Sequence, residues 1–392
     1  MTATPRVPTD RHIPALDGVR GLAITLVLMF HFTDWSDGPS QWLRAGWVGV
    51  DLFFVLSGFL ITGLLLDTRD ASNYFWSFYA RRSLRIFPLY FGVLFAIFVL
   101  GPWVGLGQLP DFHQLAEKQA WLWTYTSNFY LSITEQFDLH ASWLDLTHFW
   151  SLAVEEHFYL IWPAVVLLSR RNVIRACWAC VIIALLCRVA MIVVWTRPVG
   201  PYFLTFCRLD SLAIGGLVAT MARRPLGLPG LKRDATIMAI VGSAIVIALG
   251  LRSGRFAAAD RLIQMLGFPA LGFAFAGLIV FASLAHRGGF WHRVWTSPPL
   301  TTLGRYSYGI YVYHQLFGRK LVEVVAPHLL WAGPFGASVG MIGVGLAVNL
   351  GVAMLSYHLF EARFLRLKSR FAAKSTQDMA LTLRSSASAV PA

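Results

Sequence analysis

The feature that most constrains this 392-residue chain is a succession of apolar stretches, each long enough to cross a lipid bilayer. A membrane-spanning helix needs roughly 20 apolar residues. Only 14% of the residues are charged and the mean hydropathy is +0.59, whereas a typical soluble domain carries about 25% charged residues. The sequence therefore predicts an integral membrane protein, excludes a disordered chain, and leaves no room for a second soluble domain.

We predict a single-domain, all-α integral membrane protein with about ten transmembrane helices. The spans are placed at residues 18–34, 46–66, 84–104, 149–169, 174–195, 204–222, 234–251, 263–285, 303–325 and 336–360. The ninth span is the weakest of these predictions, because it is rich in Tyr, Gly and charge. The apolar piece at 121–131 is too polar to span, so we expect it to be interfacial or re-entrant.

The distribution of Lys and Arg predicts the orientation. If the N-terminus is cytoplasmic, 21 of the 33 Lys and Arg residues fall in cytoplasmic segments and six in the opposite segments. The positive-inside rule then places both termini in the cytoplasm of a multi-pass protein of the cell (inner) membrane. We divide the chain into a cytoplasmic tail (1–17), a transmembrane domain (18–365) and a cytoplasmic, disordered tail (366–392).

The net charge of +13 is explained by membrane orientation, because the basic residues stand in short clusters between apolar stretches. Nucleic-acid binding is therefore not expected. The N-terminal segment lacks a small-x-small cleavage site, so we interpret it as a retained first helix. All four cysteines lie within apolar stretches, and Cys177 and Cys180 form a C-x-x-C that has no second pair or matching His spacing. We therefore predict no disulfide and no metal site. We also expect no permanently bound cofactor.

Ionisable residues inside the predicted spans need an explanation, because each costs a few kcal/mol in a bilayer. Arg20 and His31 share one face of the first helix, since eleven residues make three turns plus about 20°. They lie about 16 Å apart along the axis, too far for a direct catalytic pair. Arg20 could simply extend to the membrane surface and His31 bond at the interface. The alternative is that both have catalytic or binding roles.

Three further positions could act with His31. Asp51 begins the second span at a similar depth, where it could orient the imidazole or cap its own helix. Ser57 lies about 9 Å deeper, among glycines that indicate close helix packing. Glu155 and Glu156 fall in the outer third of the fourth span. Adjacent helical residues point about 100° apart, so we expect one of the two to face a site, unless both form structural salt bridges.

The third span begins with a basic cluster formed by Arg81, Arg82 and Arg85. The cluster could anchor the cytoplasmic end of the helix, or it could bind the phosphates of a cofactor, for which Arg geometry is suited.

Other polar residues have simpler interpretations. We expect Arg208 and Asp210 to form a buried pair, and His314 to pack in the middle of the ninth span. The longest outside loop, 105–148, is acidic, and loops of this length are often functional.

Five segments of the chain, taken in order, match motifs of a known family. They are 16–22 (LDGVRGL) followed by His31, 49–59 (GVDLFFVLSGF), 78–88 (FYARRSLRIFP), 149–163 (FWSLAVEEHFYLIWP) and 304–309 (GRYSYG). Over residues 12–365 the chain resembles the acyltransferase family 3 membrane proteins. One departure lies near the end, where the family often has Glu-x-Pro and this chain has Glu361 followed by Ala-Arg-Phe.

The resemblance implies ten helices and transfer of an acyl group, often acetyl, from coenzyme A to a hydroxyl group. The acceptor would be a surface polysaccharide, a lipopolysaccharide or a glycosylated metabolite. The partners would then be acyl-CoA as donor substrate, a carbohydrate or glycolipid acceptor, and the lipid bilayer. The motif positions transfer functional roles to Arg20, His31, Asp51, Ser57, Arg81, Arg82 and Glu155. The family pattern Val-Glu-x-x-Phe-Tyr favours Glu155 over Glu156.

A mechanism follows from the expected depths. The basic residues Arg20, Arg81, Arg82 and Arg85 would hold the nucleotide phosphates of acyl-CoA. His31, oriented by Asp51 or Glu155, would deprotonate the acceptor hydroxyl, which attacks the thioester. Ser57 would position substrate or stabilise the oxyanion. An acyl-imidazole intermediate is a variant.

Two other classes of protein remain open from the residues alone. A transporter or flippase would explain the intramembrane charges and the glycine-rich helices, but no inverted repeat is visible. A purely structural subunit would leave the polar residues of the spans unexplained.

Overall fold

The fold is described by a computed structural model covering residues 13–33, 39–254 and 256–374, and it is about 82% helical. The remainder of both predicted tails, 1–12 and 375–392, lies outside the described residues. The α-helices are α1 (Pro14–Phe32), α2 (Val48–Asp67), α3 (Tyr74–Phe95), α4 (Phe112–Glu117), α5 (Gln119–Trp123), α6 (Ser127–Thr134), α7 (Phe149–Ser169), α8 (Val173–Val189), α9 (Gly200–Phe203), α10 (Thr205–Met221), α11 (Gly227–Gly230), α12 (Lys232–Ser253), α13 (Phe268–Leu284), α14 (Phe290–Trp295), α15 (Pro298–Tyr313), α16 (Gly318–Val325), α17 (Gly333–Ser356) and α18 (Ala362–Arg366).

Several helices are extended or joined by tighter or wider helical turns. The π-helical turns are Ala96–Leu100, Ala190–Val194, Ile263–Gly267 and Tyr357–Glu361. The 3-10 segments are Pro39–Trp47, Gly101–Val104, Leu106–Gln108, Arg170–Asn172, Ala326–Ala332 and Leu367–Phe371. A two-stranded antiparallel hairpin pairs β1 (His140–Ala141) with β2 (Leu144–Asp145).

Seven helical segments of the described chain are long and apolar enough to cross a membrane. They are Pro14–Phe32, Trp42–Asp67, Tyr74–Val104, Phe149–Val194, Lys232–Ser253, Ile263–Leu284 and Gly318–Phe371. The segment Phe149–Val194 contains both α7 and α8, and α10 and α15 have only 17 and 16 residues. The chain is thus a multi-pass, helical membrane protein, while the number of ten spans and the side of the termini stay predictions.

The predicted ninth span, 303–325, is not one continuous helix. The structure begins α15 at Pro298, ends it at Tyr313, and turns over residues 314–317 before α16 begins. His314 is therefore not in the middle of a helix, as predicted, but directly follows its end. The carbonyls of the last turn of α15 have no intrahelical donors, which matters for the site described below.

Helix α3 begins ten residues before the predicted span, at Tyr74, so its arginine cluster lies within the helix. The stretch 366–374, predicted as part of the disordered tail, instead includes the 3-10 segment Leu367–Phe371 and packs along the beginning of α3. Ser77 Oγ donates to the carbonyl of Phe371 at 2.8 Å, and Asn73 Nδ2 donates to the carbonyl of Ala372 at 2.9 Å. These bonds hold the C-terminal residues of the described chain beside the arginines of α3.

Close backbone contacts join the central helices. A Cβ atom added at Gly58 of α2 would lie 1.8 Å from the carbonyl oxygen of Leu212 in α10, and one added at Gly304 of α15 would lie 1.8 Å from that of Asp17 in α1. Such close approach requires glycine. The packing predicted around Gly58 is confirmed, and it fixes α2 against α10 with little room for displacement.

Two fully buried ion pairs connect α2, α8 and α10. Arg208 Nη2 lies 2.7 Å from Asp51 Oδ1, and Arg188 Nη2 lies 2.8 Å from Asp210 Oδ2, with all four side chains 0% exposed. The predicted pair of Arg208 with Asp210 is therefore wrong. Residues two apart on a helix point about 200° apart, so each reaches a different neighbouring helix.

The acidic loop 105–148 forms short helices and the hairpin rather than a long unstructured segment. Asp138 Oδ2 accepts hydrogen bonds from Lys118 Nζ at 2.6 Å and from the Tyr130 hydroxyl at 2.8 Å. Burial acts to raise the pKa of Asp138, but these two hydrogen bonds outweigh it and hold the pKa below its ordinary value. These contacts join Lys118, between α4 and α5, and Tyr130 of α6 to the segment that precedes the hairpin.

Candidate functional site

Two cavities lie side by side between the helices, one of about 110 Å³ and one of about 510 Å³. The side chains of Val50 and Tyr311 line both. We call the smaller one the arginine cavity, and its polar lining residues are Arg20, Ser57, Arg82, Arg85, Ser151, Glu155, Glu156, Tyr159, Ser307, Tyr308 and Tyr311. We call the larger one the histidine cavity, and its polar and aromatic lining residues are Phe30, His31, Arg44, Trp47, Phe137, Asp145, Thr147, His148, Trp150, Tyr202, Phe256, Tyr311, Gln315 and Arg319.

The arginine cavity is organised around Tyr159 of α7. The Arg82 guanidinium lies over the Tyr159 ring, 3.9 Å from its centroid, and the Tyr159 hydroxyl is hydrogen bonded to Ser57 Oγ. Glu155 is within hydrogen-bonding range of both hydroxyls and attracted by Arg82. Three of the predicted residues, Ser57, Arg82 and Glu155, are therefore brought together, although α7 is far in sequence from α2 and α3.

Both Glu155 and Glu156 line the arginine cavity, so the expectation that only one would face a site is wrong. They point about 100° apart, yet both side chains lie on the cavity wall. The oxygen Oε1 of Glu156 is buried without a hydrogen-bond partner among the described residues. An unsatisfied buried carboxylate oxygen is costly, which marks Glu156 as available to a ligand.

The remaining predicted cofactor-binding residues lie at or near the same cavity. Arg20 lines it while also pairing with Asp17, its Nη1 atom 2.6 Å from Oδ1. Arg85 lines it within electrostatic range of Arg20, whereas Arg81 is absent from the lining. Lys368, which sequence reasoning missed, lies within electrostatic range of all four arginines. Lys368 follows Arg363 and Arg366 in a basic stretch of the sequence, and that stretch was the available signal.

His31 lies in the other cavity, in contact with polar residues that follow α15. The nearest polar atom is Gln315 Nε2, 2.5 Å from His31 Nδ1. The ring of His314 packs between two imidazoles, its centroid 4.7 Å from that of His31 and 4.6 Å from that of His148. Within the described ranges, these and the other His, Cys, Asp and Glu residues form no group of three able to hold a metal ion.

The carboxylates proposed to orient His31 have other partners. Asp51 is paired with Arg208 and also accepts a hydrogen bond from Ser211 Oγ at 3.0 Å, and it lines neither cavity. Glu155 belongs to the arginine cavity. The structure therefore separates His31 from both carboxylates and gives it an amide, Gln315, as its polar neighbour.

The walls of the histidine cavity are aromatic with a few polar groups. The ring of Trp47 stacks on that of Phe256 with centroids 5.2 Å apart, and the rings of Trp150 and Tyr202 lie 4.7 Å apart. Asp145 of the 105–148 loop pairs with a guanidinium from α16, its Oδ2 atom 3.0 Å from Arg319 Nη2. The loop thus contributes directly to the larger cavity.

Comparison with known proteins identifies the family. A family model described as an acyltransferase domain matches residues 13–357. The chain is 30% identical over 322 residues to the O-acetyltransferase OatA of Staphylococcus aureus (strain NCTC 8325 / PS 47), covering 78% of this chain and 50% of that protein. It is 28% identical over 362 residues to the peptidoglycan O-acetyltransferase OatA of Listeria monocytogenes, covering 90% and 55%.

The chain thus spans about half the length of these curated relatives. No solved structure matches it. The match to the family model extends over most of the chain and includes every residue that lines either cavity. The chain belongs to the acyltransferase family 3.

Proposed function

We propose that this protein is an O-acyltransferase that moves an acyl group, acetyl in the simplest case, from acyl-CoA to a hydroxyl group of a carbohydrate. The observation that carries the proposal is the pair of adjoining cavities, one basic and one aromatic with an imidazole, which share two lining residues in the described part of the chain. Two substrates of different chemistry can then enter from opposite ends and meet at the shared wall formed by Val50 and Tyr311.

The arginine cavity is the proposed donor side. Arg20, Arg82 and Arg85 line it, and Arg81 and Lys368 lie close by. Guanidinium groups bind phosphate oxygens in bidentate geometry, so these side chains suit the phosphates of the coenzyme. Since the acyl-CoA pool is cytoplasmic, this assignment accords with the positive-inside orientation, with ten spans, and with location in the inner membrane.

The histidine cavity is the proposed acceptor side. Its volume of about 510 Å³ lies within the usual range for small-molecule sites. Its aromatic rings offer flat apolar surfaces and its Asp145, Arg319 and Gln315 side chains offer hydrogen bonds, the combination needed to bind a sugar. The relative from Listeria monocytogenes is named for peptidoglycan, so a glycan of the cell envelope is the acceptor we propose.

The chemistry needs a base for the acceptor hydroxyl. His31 takes the proton from the hydroxyl, whose oxygen then attacks the thioester carbonyl carbon, so that a C–O bond forms as the C–S bond breaks. The proton held by His31 is returned to the departing thiolate or to water. Ser57 and Tyr159 lie on the donor side, where their hydroxyls can position the thioester.

We do not assign Asp51 the role of orienting His31 that the sequence suggests. Its contacts to Arg208 and Ser211 join α2 to α10, so we assign it a structural role. Glu155 and Glu156 balance the charge of the arginine cavity. A transporter would also use intramembrane charges, but the membership of an acyltransferase family favours the enzyme.

The proposal is tested with purified protein in detergent, by measuring thiol release from acetyl-CoA and the mass gain of an oligosaccharide acceptor. His31→Ala should lower kcat by about 10²-fold or more, the usual contribution of a general base. His113→Ala, on an exposed helix of the 105–148 loop, is the matched control and should have no effect. Full acyl transfer by a folded His31→Ala variant would overturn the assignment of the base.

A second pair of variants tests the donor side. Arg82→Ala should raise KM for acetyl-CoA, whereas Arg171→Ala, a basic residue outside both cavities, should leave it unchanged. Unaltered acetyl-CoA affinity in the Arg82 variant would contradict the placement of the donor.

A further inference from the structure

The amide of Gln315 lies between two imidazoles of the histidine cavity. Its Nε2 atom is 2.5 Å from His31 Nδ1, and the same side chain is within hydrogen-bonding range of His148. Two buried atoms in this group have no hydrogen-bond partner among the described residues, namely Gln315 Oε1 and His148 Nδ1. The two side chains are close enough to interact, so a single rotation of the Gln315 amide can give each of these atoms a hydrogen-bond partner.

The protonation of His148 follows from its backbone partner. His148 Nε2 lies 3.1 Å from the carbonyl oxygen of Val312, one of the carbonyls left free where α15 ends. A carbonyl only accepts, so Nε2 carries the hydrogen, and in a neutral imidazole Nδ1 is then an acceptor. His314 is fixed in a similar way, since its Nδ1 donates to the carbonyl of Tyr311 at 2.6 Å.

The orientation of the Gln315 amide follows in turn. Amide nitrogen and oxygen exchange places by a 180° rotation that leaves the shape of the side chain unchanged, and the hydrogen-bond network decides between them. His148 Nδ1 needs a donor, which the Gln315 amide nitrogen supplies. The amide oxygen then faces His31 Nδ1. Because that oxygen only accepts, Nδ1 of His31 must carry the hydrogen, and Nε2 keeps a free lone pair.

We propose that Gln315 is a positioning residue that selects the Nδ1–H tautomer of His31 and leaves Nε2 as the base, with the tautomer set by the Val312 carbonyl and transmitted through His148. The inference rests on the proposed role of His31 as the base. Gln315 thereby does for His31 what a carboxylate does in other catalytic pairs, but without adding a negative charge.

The neutral partner suits the surroundings of His31. The ring of His314 packs against that of His31. The other titratable and charged groups that face the same cavity are His148, Tyr202, Tyr311, Arg44 and the Asp145–Arg319 pair. None of the described contacts of His31 is to a carboxylate. An amide keeps the imidazole uncharged and able to accept a proton.

The direct test is the ¹⁵N spectrum of histidine-labelled protein in lipid, assigned by the loss of one signal in His31→Ala. We expect neutral His31 to be protonated at Nδ1 in the unmodified protein. Gln315→Leu and His148→Phe should each convert it to a mixture of tautomers, and the double variant should be no more mixed than either single one. A wild-type His31 protonated at Nε2, or a tautomer indifferent to Gln315→Leu, would overturn the proposal.

Kinetics give an independent reading. Gln315→Leu should lower kcat at least tenfold with KM for acetyl-CoA unchanged. Gln315→Glu should restore the tautomer, because its carboxylate accepts from Nδ1–H, and should shift the acidic limb of the kcat profile to higher pH. A change in packing alone would not move that limb. If Gln315→Leu does not fold, the wild-type spectrum and the Gln315→Glu variant still test the proposed role of Gln315.

The two proposals fail in different ways. If the spectra show the expected tautomer and its dependence on Gln315, but the His31→Ala variant keeps full activity, the positioning of His31 stands and its catalytic role does not. If His31→Ala is inactive and the tautomer is Nε2–H, the catalytic role stands and the proposed relay does not.

Discussion

Replacing Arg208 with Met should destabilise the protein strongly, because it leaves the carboxylate of Asp51 buried without its cation. The two groups lie 2.7 Å apart and are 0% exposed. At an effective dielectric constant near 20, opposite charges at that distance attract by about 6 kcal/mol. Desolvation offsets much of this attraction, and breaking one partner of a buried pair typically costs about 3–5 kcal/mol.

The measurement is the free energy of unfolding in mixed detergent micelles for Arg208→Met, Asp51→Leu and the double variant. Each single variant should lose about 3–5 kcal/mol. The double variant should recover most of that loss, since apolar residues of similar volume often replace a buried pair at little cost. Ser211, which donates to Asp51, would then lose one partner in the double variant.

Two results would refute this reasoning. The first is a loss below about 1 kcal/mol for Arg208→Met, the range of an exposed pair. The second is a double variant that is stable and folded but catalytically dead, because Asp51 would then take part in the reaction, as its position in the sequence first suggested.

Three further predictions concern packing, the donor site and the loop. Gly58→Ala should destabilise the protein by about 1–3 kcal/mol or more, since its Cβ would lie 1.8 Å from a backbone oxygen, while Gly351→Ala, with nothing within 4 Å, should have little effect on the melting temperature. Arg82→Lys should bind acetyl-CoA more weakly in titration calorimetry, because an ammonium group keeps the charge but not the planar contact with Tyr159; equal affinity would argue for simple charge attraction. Asp138 has a lowered pKa, so it stabilises the folded state above its unfolded pKa of about 3.9 and this contribution is lost as pH falls through the folded value. The difference in melting temperature between wild type and Asp138→Asn should thus be constant from pH 5 to 7 and shrink below about pH 4, and a difference that grows on acidification would contradict the assigned contacts.

Hydrophobicity predicted where the long helices lie better than it predicted where a helix is broken. The predicted span 149–169 coincides with α7, since apolar length alone determines such a segment. The break after α15 was missed because His314 and Gln315 stand in an otherwise apolar, aromatic stretch with no Pro or Gly at the turn itself. What ends the helix there is the set of polar contacts to residues distant in sequence, which periodicity does not record.

The sequence predicted most residues of the candidate site, but it did not predict which of them contact each other. Helical rise gave the separation of Arg20 and His31, which the structure places in different cavities. Depth alone suggested Asp51 as the neighbour of His31. Depth does not specify rotation about the helix axis, and the actual partner of Asp51 is Arg208, 157 residues away.

The thin partition made by Val50 and Tyr311 has a consequence for the cell. A hydrated ion or proton crossing between the two cavities would have to shed its water beside a valine and an aromatic ring, at a cost of several kcal/mol. An acetyl group is small and uncharged and meets no such barrier. Under the proposed function, an acyl group would therefore pass between the two cavities without a flow of ions or protons, and the membrane would keep its electrical gradient.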